Sequence, residues 1–197
     1  LLNLEDSVLD VATGLAGFSR INSWPENFPQ LVLSDNENFI VNGLSHFLKL
    51  TGKKNVILLE ADFPKKPPKG MKFGFIVVNK FMHHLQRGDR INFLKWSRCV
   101  LEEHGVLEIL DTDLENHIIE QSSQPEFKNK LTVGYLKTLV EIESDYTKTL
   151  KFDVEDAGFR ITHFSCREYC DETDVFSQNP GDTISLKFKG LEIVAEK

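Results

Sequence analysis

The sequence predicts an α/β fold, in which helices cover both faces of a mostly parallel β-sheet. Short apolar runs of strand length alternate with longer amphipathic segments along most of the chain. Each short run is apolar at consecutive positions, which is typical of strands buried on both faces of a parallel sheet. The length of 197 residues and the 41% hydrophobic content are those of a single soluble domain with its own core.

The strands are predicted from these apolar runs in chain order. Five of them occupy the first part of the chain, and the last two are separated by a predicted turn at Lys189 and Gly190. The runs are residues 8–12, 31–34, 55–60, 73–79, 105–111, 160–165, 183–187 and 191–195.

Helices are predicted between the strands from apolar residues that recur on one face. Residues 38–50 form one such helix, residues 90–103 a second, and residues 151–157 a short third that Gly158 ends. The predicted buried face is Phe39, Leu44, Phe47 and Leu48 in the first helix and Ile91, Leu94, Cys99 and Leu101 in the second.

The regular alternation breaks at residues 112–144, which are polar and contain Pro125. Two helical pieces are predicted inside this excursion, at 113–121 and 126–143. An insertion near strand ends often covers a site, so we expect this segment to act as a lid within a single domain of residues 1–197. Because the chain begins at Leu1 and enters a strand almost at once, we expect the natural N terminus to extend further.

Charge and composition narrow the classes of partner. The net charge of −7 gives no general attraction to phosphate backbones, so a small-molecule partner is favoured over nucleic acid. No apolar run approaches the roughly 18 residues of a membrane span. Three cysteines do not make a disulfide framework and predict a reducing, cytoplasmic environment with buried or half-buried thiols. Their spacing predicts no metal site.

The segment from Val8 to Gly17 is the main functional signal. A strand runs into small residues and then into a helix, which lets the backbone turn tightly and approach a ligand closely. Asp35 ends the second strand 21 residues after Gly14. That spacing is typical of an acidic side chain that accepts hydrogen bonds from ribose hydroxyls.

The residues Asp10-Val11-Ala12-Thr13-Gly14 resemble the motif Asp-x-Gly-x-Gly-x-Gly of class I, S-adenosylmethionine-dependent methyltransferases. The closest form is the Asp-Val-Ala-x-Gly of the ubiquinone/menaquinone-type enzymes. The resemblance implies a Rossmann-like class I methyltransferase fold with a seven-stranded sheet, and S-adenosyl-L-methionine as the cofactor. The cofactor-binding residues that it implies, together with the polar strand ends beside them, are Asp10, Ala12, Gly14, Ala16, Asp35, Asn36, Asp62, Phe63 and Asn79.

Later segments extend the resemblance over nearly the whole chain except residues 112–144. The fourth strand is followed by the pair His83-His84, residues 101–105 stand where the family has Leu-x-Pro-Gly-Gly, and residues 155–159 resemble its Ala-Gly-Phe turn. The chain departs from the pattern at Ala12 and Ala16, at Gly74 in place of an aspartate, and at His104.

Several of these residues also have purely structural interpretations. Asp10 is assigned to the cofactor's amino group, but a carboxylate there can also cap the glycine turn. Asp62 is placed opposite the adenine, or is a loop residue before Pro64. The histidine pair is a candidate general base, although at least one of the two is expected to cap or pack at a helix start.

Two functional hypotheses follow. The first is a methyltransferase that moves a methyl group in line onto a small-molecule acceptor. The second is a non-catalytic methyltransferase-like domain with a binding or regulatory role. The alanines at two motif glycine positions and Gly74 favour this hypothesis. A nicotinamide-dependent oxidoreductase is disfavoured by the second half of the chain.

Overall fold

The computed structural model describes residues 7–63, 70–112, 146–173 and 184–197. Strands and helices alternate through these residues, and the elements are numbered in chain order. The strands are β1 (Val8–Val11), β2 (Leu31–Asp35), β3 (Val56–Glu60), β4 (Phe73–Asn79), β5 (Leu101–Thr112), β6 (Arg160–Thr173) and β7 (Ile184–Glu196). The helices are α1 (Ala16–Ser23), α2 (Asn38–Thr51), α3 (Arg87–Val100) and α4 (Tyr146–Asp156), with a 3-10 helix at Met82–His84 before α3.

The described strands form one seven-stranded sheet in the order β3-β2-β1-β4-β5-β7-β6. The first five strands in that order are parallel, and β7 runs antiparallel to both β5 and β6. The predicted mostly parallel sheet is therefore confirmed. The order reverses between β1 and β4, because the chain moves outward to β2 and β3 and then returns to the centre.

Side-chain alternation within the strands explains why both sheet faces are covered. Leu31, Val32 and Leu33 are consecutive and all buried. Leu31 and Leu33 pack with Ile21 of α1 and Leu44 of α2 in one cluster, whereas Val32 belongs to the cluster on the other side of the sheet. Continuous apolar strands thus supply both layers of core at once.

The second core layer lies between the sheet and the helices α3 and α4. In β7 from Leu191, and in β5 from Gly105, buried residues alternate with half-buried ones, so one face of these strands carries the packing. In β4, Ile76, Val77 and Val78 are all buried, so both of its faces are covered. The fully buried members from these strands are Phe73, Ile76, Val78, Leu101, Leu107, Ile109, Leu191, Ile193 and Ala195, and they meet Phe93, Leu94, Leu150 and Val154 of the two helices.

A buried ion pair joins α3 to α4. The Arg90 Nε atom donates to Asp153 Oδ2 at 2.9 Å, and both side chains are almost completely buried. Arg87 Nε donates to the other oxygen, Asp153 Oδ1, at 3.0 Å, but its side chain is half exposed. Arg90 also donates to Thr149 Oγ1 at 3.2 Å. The position of α4 on the sheet therefore depends on polar contacts as well as apolar packing.

Some predicted boundaries were wrong. The two final strands are one continuous strand, β7, with Gly190 paired to Thr112, so no turn occurs at Lys189 and Gly190. Pairing along the antiparallel neighbour β6 keeps the glycine extended. The second predicted helix ends at Val100, because Leu101 already pairs with Phe73 of β4. The helix α4 starts earlier than predicted, and β6 extends beyond residue 165.

The predicted buried faces were also wrong in part. Phe39 is 80% exposed, and in α3 the buried positions include Arg90 and Ser97 instead of Cys99. A polar residue that finds a partner can replace an apolar one in a core, and periodicity of apolar residues does not detect it.

Cys99 and Cys166 are exposed rather than buried. No described helix is long and apolar enough to cross a membrane. The predicted lid at 112–144 lies outside the described residues, apart from Thr112.

Candidate active site

The strand order locates the candidate site at the carboxyl ends of β1 and β4. In open α/β sheets a crevice forms where neighbouring strands connect in opposite directions, and ligands bind there. The turn after β1 and the end of β2 lie on one side of this point. The ends of β4 and β5, with His83 and Asp111, lie on the other. One side carries the glycine turn and the other carries the histidine pair.

The glycine turn is held by the end of β2. The backbone N–H of Thr13 donates to the Ser34 carbonyl at 2.9 Å, and the Gly14 N–H donates to Asp35 Oδ2 at 2.8 Å. Gly14 has a φ of +53°, and a Cβ there would meet only the Ala12 carbonyl oxygen, at 4.0 Å. The space beside Gly14 is therefore open, as a close approach by a ligand requires.

Ala12 stands at a glycine position and adopts a φ of +51°. This left-handed conformation costs a residue with a Cβ about 1–2 kcal/mol. We expect Ala12→Gly to raise the free energy of unfolding by about 1 kcal/mol, measured by urea unfolding. The matched control is Ala16→Gly, in the first turn of α1, which should lower stability instead. A loss of stability in Ala12→Gly would contradict this account.

Asp35 has two backbone partners. Its Oδ2 atom accepts from Gly14 and its Oδ1 atom accepts from the Glu37 N–H at 3.0 Å, while the residue is 6% exposed. Each carboxylate oxygen retains capacity for a further hydrogen bond. Gly14 and Asp35, which are 21 residues apart in the sequence, are thus joined by a direct hydrogen bond. The sequence pattern did not indicate that Asp35 also holds the glycine turn.

Asn36 and Asp62 meet beyond the end of β2. The Asn36 Nδ2 atom donates to Asp62 Oδ1 at 3.3 Å, and both side chains retain solvent exposure. The Ala61 N–H donates to the Asp35 carbonyl at 3.0 Å, which holds this segment beside β2. The structure therefore brings together three of the residues predicted to bind the cofactor, Asp35, Asn36 and Asp62.

Asp10 is buried beneath the glycine turn. Its Oδ2 atom accepts from Thr13 Oγ1 at 2.7 Å and lies 2.5 Å from Arg20 Nε. Its Oδ1 atom is buried and has no hydrogen-bond partner among the described residues. Burial raises the pKa of Asp10, against the lowering effects of Arg20 and Thr13. The capping interpretation holds only for the Thr13 hydroxyl, and one oxygen remains free to meet a cationic ligand group.

Phe63 and Asn79 differ in their surroundings. The Phe63 ring is buried among the core aromatics, with its centroid 5.7 Å from that of Phe93 and 4.8 Å from that of Trp96. Packing explains this ring better than ligand contact does. Asn79 ends β4 and is half-buried beside the crevice, where Lys80 turns the chain with a φ of +52°.

The histidine pair lies in the 3-10 helix rather than at the start of α3. His83 donates its backbone N–H to Asp111 Oδ2 at 3.1 Å, and its Nδ1 atom lies 2.5 Å from Asp111 Oδ1. His84 is exposed, and its ring centroid is 4.0 Å from that of His83. Partial desolvation and the neighbouring His83 lower the pKa of His84, and Asp111 opposes them.

Two further residues of this cluster were not predicted. Asp111, which is 4% exposed, ends the apolar run of β5, and a polar residue at a strand end was the available signal. The Tyr146 hydroxyl donates to Asp111 Oδ2 at 2.7 Å. Nothing in the sequence pattern indicated Tyr146. No group of three or more His, Cys, Asp or Glu residues suited to a metal is present among the described residues.

Comparison with known proteins identifies the fold. No protein-family model matches the chain, and no curated protein is significantly similar to it in sequence. A putative methyltransferase from Bacillus halodurans is 20% identical, with a TM-score of 0.63 over 100% of this chain and 94% of that one. A SAM-dependent methyltransferase from Aquifex aeolicus is 21% identical, with a TM-score of 0.59 over 98% of this chain and 84% of that one.

PigF, in a structure with S-adenosylhomocysteine, is 16% identical, with a TM-score of 0.58 over 97% of this chain and 50% of that one. At these identities the likeness concerns the fold alone. The fold is the Rossmann-like class I methyltransferase fold, as the sequence resemblance implied.

Proposed function

We propose that this chain is an S-adenosylmethionine-dependent methyltransferase that acts on a small-molecule acceptor. The observation that carries the proposal is the bond from the Gly14 N–H to Asp35 Oδ2, at the point where the strand order reverses. It joins a tight glycine turn to an acidic strand end, the pair of features that nucleotide-binding α/β folds use for a phosphate or carboxylate arm and a ribose.

The described residues fit such a cofactor. Asp35 would accept from the ribose hydroxyls, Asp62 with Asn36 would meet the adenine, and Asp10 Oδ1 would meet the amino group. The open space beside Gly14 would receive the amino-acid arm. When bound, the cofactor supplies a methyl group on a positively charged sulfur, which leaves as a neutral thioether.

The protein's own contribution is then alignment rather than activation of the leaving group. Because a neutral thioether departs, no acid is needed on the cofactor side. Holding the acceptor in line and excluding water can supply several kcal/mol of the barrier. The acceptor would enter on the β4 and β5 side of the crevice, opposite the glycine turn.

The acceptor class is supported by charge. A net charge of −7 gives no general attraction to a nucleic acid, which favours a small molecule. The likeness of the first motif to the ubiquinone/menaquinone-type enzymes is confined to residues 10–14 and stays a prediction.

Calorimetric titration of the chain with S-adenosylmethionine, S-adenosylhomocysteine and NADH tests the proposal. We expect both adenosyl ligands to bind and NADH not to bind. Asp62→Asn should weaken the adenosyl ligands about tenfold, because a charged hydrogen-bond acceptor becomes a neutral one and one of its two oxygens is replaced by a donor. Glu103→Gln, an exposed carboxylate on β5, is the matched control and should leave binding unchanged.

The alternative function is a methyltransferase-like domain without catalysis. Ala12 and Ala16 favour it, because the motif Asp-x-Gly-x-Gly-x-Gly has glycine at both positions, although the ubiquinone/menaquinone-type form shares the alanine at position 12. A folded chain that binds neither adenosyl ligand, either as it stands or as Ala12→Gly, would support this alternative and reject the enzyme.

A further inference from the structure

We propose that His83 is the general base of this site, that Asp111 and Tyr146 position it, and that the acceptor is a weakly acidic hydroxyl such as a phenol or an enol. The inference rests on the proposed methyl transfer. It adds one assigned base, two positioning residues and a chemical class of substrate.

Asp111 contacts both the backbone and the side chain of His83. One carboxylate oxygen, Oδ1, lies 2.5 Å from His83 Nδ1, and the other, Oδ2, accepts from the His83 N–H and from the Tyr146 hydroxyl. Asp111 and Tyr146 are 4% and 1% exposed, so these contacts are shielded from water. Backbone and side chain of His83 are therefore both fixed by one carboxylate.

Asp111 is itself held by Tyr146, and Tyr146 packs against the buried Arg90. The Arg90 guanidinium lies over the Tyr146 ring, with its carbon 5.0 Å from the ring centroid, and Arg90 is itself paired with Asp153. Tyr146 and Asp153 belong to α4, while Arg90 belongs to α3. The orientation of the carboxylate is thus determined by two packed helices, which gives the site a rigid support.

The contact with Asp111 determines which nitrogen of the His83 imidazole carries the proton. A carboxylate only accepts hydrogen bonds, so in neutral His83 the proton resides on Nδ1 and Nε2 keeps a lone pair. His83 Nε2 has no hydrogen-bond partner among the described residues, and the side chain is 11% exposed. A carboxylate-oriented imidazole with one free basic nitrogen is the arrangement that general-base catalysis uses.

Capping alone does not account for these contacts. The 3-10 helix at Met82–His84 needs only the bond from the His83 N–H to Asp111 Oδ2. The contact at Nδ1 and the tyrosine hydroxyl are additional. His84 has a ring contact with His83 but no carboxylate partner among the described residues, so the two histidines are not equivalent.

An imidazole base is useful only for acceptors that must lose a proton and are acidic enough to give it up. Weakly basic amines, which are neutral at pH 7, attack with a lone pair that they already possess, and thiols, with a pKa of about 8.5, are partly ionised near neutral pH without a base. Aliphatic alcohols are too weakly acidic for imidazole. Phenols, with a pKa of about 10 like that of tyrosine, and enols of similar acidity need a base of this strength.

The hydroxyl proton passes to His83 Nε2, and an oxygen lone pair forms the new bond to the methyl carbon. The carbon–sulfur bond breaks, and its electron pair remains on sulfur, which becomes uncharged. His83 then releases the proton to solvent, and Asp111 stabilises the imidazolium while it exists.

The positioning part is tested without any ligand. Long-range proton–nitrogen NMR spectra of the chain show which imidazole nitrogen carries the proton. We expect His83 to be protonated at Nδ1, and Asp111→Asn, which can still accept the backbone N–H, to reduce that tautomer markedly. Tyr146→Phe should give a smaller change in the same direction. His83 protonated at Nε2, or a tautomer unaffected by Asp111→Asn, would overturn the assignment.

The substrate class is tested with 4-nitrocatechol bound to the chain loaded with S-adenosylhomocysteine. The phenolate of this probe absorbs at longer wavelength than the phenol. At a pH below the pKa of the free probe, which its nitro group lowers, binding next to a base is therefore visible as a spectral shift. We expect the shift in the unaltered chain, its loss in His83→Asn with about a tenfold lower affinity, and its retention in His84→Asn. The dimethyl ether of the probe, 1,2-dimethoxy-4-nitrobenzene, has no proton to lose and is the ligand control.

The outcomes separate this inference from the proposed function. Intact binding of S-adenosylhomocysteine with no nitrocatechol binding, or a shift retained in His83→Asn, would reject the base and substrate class and leave the methyltransferase standing. A shift that is lost in His84→Asn and retained in His83→Asn would show that His84 is the base and would reject the assignment to His83. Absence of S-adenosylhomocysteine binding would reject the proposed function, and the tautomer measurement would still decide the role of Asp111.

Discussion

Asp153→Ala is expected to lower the free energy of unfolding by about 3–5 kcal/mol, because it leaves the buried Arg90 charge without its partner. The Arg90 side chain is 1% exposed, and the Asp153 side chain is fully buried. The attraction that held the guanidinium in the core would be lost while its desolvation remained. Urea unfolding measures the change.

Two controls make this prediction specific. Glu155→Ala removes an exposed carboxylate from the same helix, α4, and should change stability by about 0.5 kcal/mol or less. The double variant Arg90→Met, Asp153→Leu removes both charges and should be more stable than Asp153→Ala alone. A double variant less stable than Asp153→Ala would show that apolar residues cannot fill this space.

Asp35→Ala is expected to abolish measurable binding of the adenosyl ligands, with a loss of about 100-fold or more. The substitution removes the proposed ribose acceptor and also releases the Gly14 N–H, so both the ligand contact and the turn that shapes the site are lost. Stability should fall by about 1–2 kcal/mol, because two backbone N–H groups lose their acceptor. Calorimetry and urea unfolding on one preparation separate the two effects.

Glu37→Ala is the matched control for Asp35. Glu37 is an exposed carboxylate two residues further along the chain, and it donates its backbone N–H to Asp35 rather than accepting a bond. Its removal should leave both affinity and stability nearly unchanged. Undiminished ligand binding by Asp35→Ala would reject the assigned ribose contact.

The strands show how much of the fold could be predicted. Residues 73–79 were predicted as a strand and form β4 with those bounds, because a continuous apolar run between polar neighbours is unambiguous at strand length. The helix α2 begins at the predicted Asn38 and ends one residue beyond the prediction. Gly190 was misread as a turn, since a glycine inside a long antiparallel pairing looks the same in sequence as a hairpin.

The glycine-turn side of the candidate site was predictable for a similar reason. Gly14 and Asp35 belong to a local pattern of strand, turn, helix and strand, whose spacing is written along the chain. The side with the histidine pair was only half predictable. The histidine pair is adjacent in sequence, but Asp111 lies 28 residues after His83 and Tyr146 another 35 residues on.

The sequence by itself determined the α/β class, most of the strands and the residues at the glycine turn, because these depend on the order of apolar and small residues over short distances. The tertiary structure alone decided that one carboxylate and one tyrosine fix His83, that Arg90 is buried against Asp153, and that Ala12 adopts a left-handed conformation. Contacts between residues far apart in the chain depend on how strands are ordered and helices are packed. No local pattern of residues records that arrangement.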